Sequence, residues 1–342
     1  MLEADVGLAA KVASLRRPAT YPARPASIEA IETHMSWVFL TPDHVFKLKK
    51  PVRSDGLDFS TLERRRFYCT EELRLNRRLA PAVYLDVVAL RQGPDGTLAL
   101  AATGGVVVDW LVMMRRLAAD LMLDALLARG RAGVDQMRQV AAQLAAFHRR
   151  LPPALHDPML YGERLAGELA EQERRLCDPE LAFDEREVRP VAARLRGFLR
   201  GNGAVLAARV AAGRVVEGHG DLRPEHVWLG TPPAIIDCLE FSLALRTVDG
   251  IDEAAFLAME CERAGAADLG RVLLERYAAL ADDAVDPALV HFYQGLRAFV
   301  RAGLALWHLK EAHYRGSPRW RQRAADYLQL AARHALACAP AG

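Results

Sequence analysis

Cysteine, lysine and long apolar runs are all scarce in this chain of 342 residues. The five cysteines are scattered and never form a C-x-x-C pair, which argues against a disulfide framework and a zinc site. The most apolar stretch, from Leu98 to Met114, contains Asp109 and is shorter than the ~20 residues that span a membrane. The chain also starts without the apolar segment of a secretory signal. The sequence therefore predicts a cytoplasmic protein with no membrane span.

The net charge is only +2, and arginines alternate with acidic residues along the predicted helices. This pattern favours a solvated surface over a nucleic-acid footprint, and no obligate protein partner is evident. Only five of the 45 basic residues are lysines, yet Lys47, Lys49 and Lys50 lie within four positions of one another. That cluster is the first candidate for a binding site.

The first third of the chain predicts a small, mostly antiparallel sheet with one helix. Apolar residues on either side of the turn Thr41-Pro42-Asp43 predict a hairpin of strands 36–40 and 44–49 that carries the lysines. Ser27 predicts the N-cap of a short helix, after a proline-rich linker. The remaining predictions are a helix over 61–79 and strands over 83–90, 97–101 and 106–114.

Beyond residue 117 the apolar spacing changes to the three and four residue steps of helices. The exception is the interval 215–241, which predicts an isolated hairpin of strands 227–229 and 234–236. The fold class is therefore α+β, with a small β lobe before a larger, mainly helical lobe. The predicted domains are an N-terminal helix and linker (1–26), an N-lobe (27–117) and a C-lobe (118–342).

Three side chains that could act as metal ligands or bases lie in or next to the isolated hairpin. His226 enters its first strand and Asp237 leaves the second, so antiparallel pairing places them side by side, with Asp221 in the loop upstream. Such a set suits phosphoryl transfer, in which one carboxylate orients a hydroxyl and another holds Mg²⁺. We expect Asp221 in the first role, Asp237 in the second, and Arg223 as a clamp on the transferred phosphate. The alternative is that both aspartates only cap turns.

The same residues carry a resemblance to a known family. His219-Gly220-Asp221-Leu222 and the following Arg223-Pro224-Glu225-His226 resemble the catalytic loop of protein kinases, and more closely the H-G-D-L form of aminoglycoside and choline phosphotransferases. Ile235-Ile236-Asp237-Cys238 resembles the metal-binding motif that follows in those families. Together with the segments THMSWVFLTPDHVFKLKKPV and ELRLNRRLAP, these motifs resemble an uncharacterised bacterial branch of aminoglycoside-phosphotransferase-like proteins over residues 30–310. The resemblance implies a bilobal protein-kinase-like fold, ATP and Mg²⁺, and a small-molecule hydroxyl acceptor.

The resemblance also implies a role for the lysine cluster, because kinase-like folds hold the ATP phosphates with a strand lysine paired to a helix glutamate. Lys47 is preferred to Lys49, since Val45 precedes it by two residues and would cover the adenine. Its expected partner is Glu72, with Glu71 as the alternative. The competing interpretation is that the three lysines only protect a solvated edge strand.

Smaller predictions concern residues around these motifs. Thr33 and Ser36 are expected to contact phosphates, although the sequence has no glycine-rich phosphate loop. Met114 is expected to line the adenine site, or else to be core. His219 joins Asp221 and Arg223 in the catalytic loop, and His148 is expected to be a hydrogen-bonded structural histidine. Glu240 is expected either near the metal or as a surface carboxylate.

One position departs from the family pattern, because His226 stands where Asn is usual. Imidazole is a softer ligand than an amide oxygen and favours Mn²⁺ or other transition metals over Mg²⁺. His226 therefore either binds a different divalent ion, donates to a phosphate, or marks a protein that binds nucleotide with little turnover. Three functions follow: an ATP-dependent phosphotransferase, a catalytically weak nucleotide-binding regulator, and a metal-dependent phosphoesterase.

Overall fold

The computed structural model describes residues 6–54, 57–101, 103–181, 183–310 and 314–338. In chain order its strands and helices are α1 (Leu8–Leu15), β1 (Glu29–Glu32), β2 (Ser36–Leu40), β3 (His44–Lys49), β4 (Arg53–Ser54), β5 (Leu57–Asp58), α2 (Leu62–Asn76), β6 (Tyr84–Gln92), β7 (Leu98–Leu100), β8 (Val106–Arg115), α3 (Leu123–Ala128), α4 (Val134–Arg150), α5 (Pro158–Leu176), α6 (Glu185–Gly201), α7 (Gly203–Ala211), β9 (Val215–Glu217), β10 (Val227–Trp228), β11 (Ala234–Ile235), α8 (Leu243–Arg246), β12 (Thr247–Asp249), α9 (Gly250–Arg263), α10 (Ala267–Ala281), α11 (Pro287–Trp307) and α12 (Pro318–Ala337).

These elements form two compact units. The first contains the described residues up to Met122 together with His226–Ala244, and the second contains Leu123–Glu225 and the described residues from Leu245 onward. The isolated hairpin β10–β11 thus belongs to the first unit, although it follows most of the helices in sequence. The domain boundaries predicted at residues 26 and 117 stay a prediction.

The first unit is built on an antiparallel sheet with the strand order β1-β2-β3-β8-β6-β7. The predicted lysine hairpin is confirmed, with Ser36 opposite Lys49 and Leu40 opposite Val45. The helix expected after Ser27 is wrong, because residues 29–32 pair with β2 as an edge strand instead. Its charged ends, Glu29 and Glu32, protect that edge from further strand pairing.

Helices cover both faces of this sheet. Thr61 caps α2 by accepting a hydrogen bond from the amide of Arg64, and buried Cys69 on α2 shares a core cluster with Tyr84 and Val112 on one face of the sheet. On the other face, Val12 and Leu15 of α1 join the core with Tyr21. Within the proline-rich segment, Thr20 and Tyr21 are therefore buried.

The second unit is mainly helical. Its long helix α11 is buried along most of its length, and Phe292 stacks on Phe198 of α6 at 4.5 Å between ring centroids. Strands β9 and β12 pair in this unit, and the segment 218–225 begins directly after β9. No helix in the described part of the chain is long and apolar enough to cross a membrane.

Candidate functional site

Lys47 lies between two carboxylates in the first unit. Its Nζ donates to Glu72 Oε1 at 3.0 Å and to Asp237 Oδ1 at 2.8 Å. Burial alone would lower the pKa of Lys47, but the carboxylates of Asp237 and Glu72 raise it well above the ordinary value. Lys47 therefore stays protonated. Its partner is the expected Glu72, whereas Glu71 pairs with Arg74 on the exposed side of α2.

Lys49 shares the same glutamate but has no exposed side-chain surface. Its Nζ donates to Glu72 Oε2 at 2.6 Å and to Glu240, whose side chain is 9% exposed. The solvated-edge interpretation of the lysines is wrong, because β3 lies inside the sheet between β2 and β8. The interpretation of Glu240 as a surface carboxylate is also wrong, because its largely buried side chain pairs with the buried Lys49.

Asp237 has an unusual backbone held by two side chains. Its φ is +62°, a left-handed conformation that is uncommon outside glycine. The Asp237 amide donates to the Tyr84 hydroxyl at 3.0 Å, and the Cys238 amide donates to Asn76 Oδ1 at 2.9 Å. Strained residues held in this way cluster at functional sites. Tyr84 and Asn76 were not singled out by the sequence, because nothing in their local pattern points to Asp237.

The predicted pairing of His226 and Asp237 is confirmed. Val227 pairs with Ile235, the Ile236 amide donates to the His226 carbonyl at 2.9 Å, and His226 Nε2 lies 3.6 Å from Asp237 Oδ2. His226 is largely buried, whereas the Asp237 side chain is 45% exposed. Asp237 is thus the member of this pair that offers an accessible oxygen.

An apolar surface adjoins the lysine in the same unit. Met114 pairs with Val45 in the β3–β8 ladder and is half-buried, with Leu117, Trp228 and Ile236 packed on the same core cluster. Trp228 donates its Nε1 to the Ala118 carbonyl at 3.2 Å, and a Cβ at Gly230 would lie 1.9 Å from its ring. Trp228 is a candidate that sequence reasoning missed. This surface is apolar, as the lining of a site for an adenine ring must be.

Thr33 and Ser36 close the turn between β1 and β2. The Thr33 hydroxyl donates to the Ser36 carbonyl at 2.9 Å and accepts the Ser36 amide at 3.0 Å, while Ser36 itself is buried. Both residues thus close the turn between β1 and β2, and this turn contains no glycine. Their contact with a phosphate stays a prediction.

In the second unit, Glu253 holds the loop that contains Asp221 through hydrogen bonds. Glu253 Oε1 accepts the amides of His219 at 2.7 Å and of Gly220 at 2.5 Å, and Oε2 lies 2.9 Å from His148 Nε2. His148 also bonds to the Tyr277 hydroxyl at 2.8 Å, which agrees with its expected structural role. Gly220 has a φ of +89°, so only glycine adopts this turn without strain.

His219 and Arg223 each act on Asp221. The His219 ring is fully buried, and its Nδ1 accepts the Asp221 amide at 3.2 Å. Arg223 Nε donates to Asp221 Oδ2 at 2.9 Å and also pairs with Glu225. The geometry makes His219 a positioning residue for the loop, while Arg223 orients the carboxylate. The predicted roles of Asp221 in proton transfer and of Arg223 on a phosphate stay predictions.

The donor set around Asp237 meets part of what Mg²⁺ requires. Mg²⁺ is commonly held by one or two carboxylates together with substrate phosphates, and Asp237 supplies one accessible carboxylate. The imidazole of His226 is a poor Mg²⁺ ligand. Within the residues that the structure describes, no group of three or more His, Cys, Asp or Glu is arranged to hold a metal ion. Asp237 therefore fits a Mg²⁺ that is bound mainly through phosphates, and the phosphoesterase interpretation stays a hypothesis.

Known proteins are similar to this chain both in sequence and in fold. No family model matches it. An uncharacterised protein of Mycobacterium tuberculosis (strain H37Rv) and one of Mycobacterium bovis are each 33% identical to it over 313 residues. The match covers 90% of this chain and 59% of either relative, so the chain spans under two thirds of the curated relatives' length.

Solved structures cover almost the whole chain. A choline/ethanolamine kinase family protein from Mesorhizobium loti superposes with a TM-score of 0.55 at 16% identity, covering 96% of this chain and 98% of its own. Choline kinase from Cryptosporidium parvum gives 0.57 at 10% identity, covering 93% and 92%. The GDP complex of aminoglycoside 2′-phosphotransferase-IIIa gives 0.51 at 19% identity, covering 90% and 93%. This chain has the protein-kinase-like fold. The predicted small antiparallel N-lobe and larger helical C-lobe are thereby confirmed.

Proposed function

We propose that this chain is an ATP-dependent phosphotransferase that acts on a hydroxyl group of a small molecule. The observation that carries the proposal is Lys47 held at 3.0 Å from Glu72 and 2.8 Å from Asp237 within one compact unit. A lysine fixed by a helix glutamate is the arrangement with which kinases hold nucleotide phosphates. Structural likeness to a protein solved with GDP supports a nucleotide ligand.

In the proposed reaction, the acceptor oxygen attacks the γ-phosphorus and the bond from that phosphorus to the bridging β–γ oxygen breaks, releasing ADP. Asp221 accepts the proton of the acceptor hydroxyl, with Arg223 and the buried His219 ring fixing its orientation. Lys47 binds the phosphates, and the surface of Val45, Met114 and Trp228 binds the base. When bound through Asp237, Mg²⁺ would neutralise phosphate charge. His226 is proposed to donate to a phosphate.

Binding is tested by thermal unfolding with and without ATP and Mg²⁺. ATP at about 100 times its Kd should raise the Tm of the wild type by roughly 5 °C. K47A should lose most of that shift, because the cation that faces the phosphates is gone. K50A is the matched control, since Lys50 pairs with Glu32 on the exposed edge and should keep the full shift. A full ATP shift in K47A would contradict the proposed nucleotide site.

Turnover is tested by ADP release with a pool of hydroxyl metabolites. D221N should retain the ATP-induced shift in Tm while losing at least about 100-fold in rate, because general-base catalysis contributes 10²–10⁴-fold. E225Q, which changes the other carboxylate paired with Arg223, is the control and should lose far less.

The second candidate is a catalytically weak nucleotide-binding regulator, and His226 is the observation that favours it. A buried imidazole lies beside Asp237 where the resembling families carry Asn. We expect H226N to increase turnover if this residue limits metal binding. ATP binding by the wild type without turnover, together with turnover in H226N, would favour the regulator.

A further inference from the structure

A cavity of about 640 Å³ lies against the sheet of the first unit. Its floor contains Phe46, Met113 and Val88, and Tyr21 stands over Phe46 with 5.0 Å between the ring centroids. Because Phe46 and Lys47 are neighbours on β3, their side chains point to opposite faces of the sheet. The floor of the cavity is therefore separate from the proposed nucleotide site.

The cavity also reaches the backbone of β6 from the side. Four consecutive residues of this strand, Asp86–Ala89, line it. Successive side chains of a strand point to opposite faces, so a cavity confined to one face would touch only every second residue. The cavity therefore extends around the outer edge of β6.

That edge is unpaired where the cavity meets it. On one side, β8 pairs with β6 from Tyr84 to Gln92. On the other side, β7 pairs only with Leu90–Gln92. In the part of the chain that the structure describes, no strand pairs with this outer edge from Tyr84 to Ala89. The sheet thus has an open edge about five residues long beside the cavity.

Side chains cover only the beginning of the open edge. Arg77 Nε donates to the Tyr84 carbonyl at 2.9 Å, and Arg77 also donates to the Leu85 carbonyl. Among the described residues, no side chain bonds to the backbone of Val88 or Ala89. An open edge that is not covered can pair with a strand from another chain.

Asp86 places a negative charge on this edge. In the register of the sheet it lies beside Met113, which in turn lies beside Phe46, so the carboxylate and the apolar floor form one row on one face. Asp86 Oδ1 accepts the Val87 amide at 2.8 Å. Within the described ranges of the chain, no cation pairs with this carboxylate.

Two arginines line the cavity without an ion pair to Asp86. Arg91 donates to the carbonyls of Ala101 and Gly105, at 3.2 and 3.3 Å. Arg24 is exposed on the segment that follows Tyr21. Of the charged groups that line the cavity, Asp86 is the one that lies on the open edge itself.

We propose that an extended peptide segment of a partner protein adds to the outer edge of β6 as a further strand. Main-chain hydrogen bonds give such a strand its affinity, and pockets for alternate side chains give it specificity. Residues directly opposite each other on paired strands share a face. The partner residue opposite Asp86 is therefore basic, and the one opposite Val88, two positions along, is a large apolar residue that enters the cavity. This inference does not depend on the proposed phosphotransferase function.

The first probe is a library of random heptapeptides displayed on phage and selected on the full chain. We expect the enriched peptides to carry Lys or Arg two positions from a large apolar residue. Failure to enrich such peptides would overturn the proposal. The consensus peptide, synthesised with a fluorescent label, is then used to measure affinity.

Charge reversal connects this peptide to the edge. D86K should weaken binding by about 10-fold or more, and a peptide with Glu in place of its basic residue should recover the loss. E63K makes the same change of charge at an exposed residue of α2 and should leave the affinity unchanged. Both variants should keep the Tm of the wild type and its shift with ATP. Equal affinities of D86K and E63K would overturn the assignment to β6.

A scan of the peptide by N-methylation tests the pairing itself. Only alternate amides of an added strand donate to β6, so N-methyl groups should weaken binding by about 10-fold at every second position and little between them. Similar losses at all positions, or at none, would mean that the cavity binds a side chain or a small apolar molecule and would overturn strand addition. Dimerisation of the wild type in sedimentation, abolished by D86K, would show a second copy on this edge and would also overturn the proposal.

Discussion

At the scale of single residues, Lys47 and Lys49 differ in environment although they lie on one face of one strand. Both bond to Glu72, but the Lys47 side chain is 17% exposed and Lys49 is fully enclosed. A buried charge that loses its partner is destabilising, whereas a partly exposed one is free to exchange partners with a ligand. We infer that Lys49 stabilises the fold and that Lys47 serves the ligand.

The lysine variants should separate these roles. K49M removes the cation shared by Glu72 and Glu240, so we expect it to lower the free energy of unfolding by about 3 kcal/mol in urea titrations. Its folded form should keep ATP affinity within about threefold. K47M should lose less stability and most of the ATP affinity. A K49M protein of normal stability that no longer binds ATP would reverse the assignment.

Glu253 stabilises the loop of Asp221 to an extent that depends on pH. Burial raises the pKa of Glu253. The hydrogen bond from His148 and the charges of His148 and His219 together lower it by a larger amount, so the net pKa lies below the ordinary value. A carboxyl with a depressed folded-state pKa stabilises the protein fully above its unfolded pKa, near 4.3. That stabilisation is lost as the pH falls through the lower, folded-state pKa.

We therefore expect E253Q to cost about 3 kcal/mol of unfolding free energy at pH 7, because the neutral amide is a weaker acceptor for the two loop amides. The difference from the wild type should shrink below about pH 4. Urea titrations from pH 7 to pH 3 measure it. A constant difference across that range would show that the charge of Glu253 is not what stabilises the loop.

At the scale of elements, α1 is fixed to the sheet by a buried ion triad. Asp109 on β8 accepts from Lys11 Nζ at 2.8 Å and from Arg65 Nε at 2.7 Å, and it is 1% exposed. Val12 and Leu15 add apolar contacts from the same helix. The N-terminal helix is thus part of the core of the first unit.

Removing the shared anion should loosen this helix. D109N leaves two buried cations facing a neutral amide, so we expect a loss of about 3 kcal/mol in the free energy of unfolding. Proteolysis should then cut first near residues 16–24. E71Q is the control, since it breaks an exposed pair with Arg74 and should cost under about 1 kcal/mol. Equal stabilities of D109N and E71Q would contradict the buried triad.

At the scale of the whole molecule, the first unit is discontinuous in sequence. Residues 226–244 return to it after about a hundred residues of the second unit, bringing Asp237 and Glu240 to the lysine strand and Trp228 to the core cluster of Met114. The proposed nucleotide site is therefore assembled from distant segments, which no local pattern describes.

Hydrogen exchange tests this assembly. ATP with Mg²⁺ should slow exchange in peptides from 44–49, 112–117 and 226–238 together, because all of them belong to one compact unit. Protection of the first two segments without 226–238 would contradict the assignment of Asp237 to the nucleotide site. K47A, with ATP affinity removed, should show none of the three changes.

The amino-acid sequence by itself determined the lysine hairpin, the hairpin that pairs His226 with Asp237, and the order of sheet and helices. Those features are set by local periodicity and turn residues, which act within a few positions. The tertiary structure decided that residues 29–32 form a strand, that Glu72 bonds to both lysines, and that Glu253 holds the loop of Asp221. Each of these depends on a partner far along the chain, and burial of charge fixes such partners only once the fold brings them together.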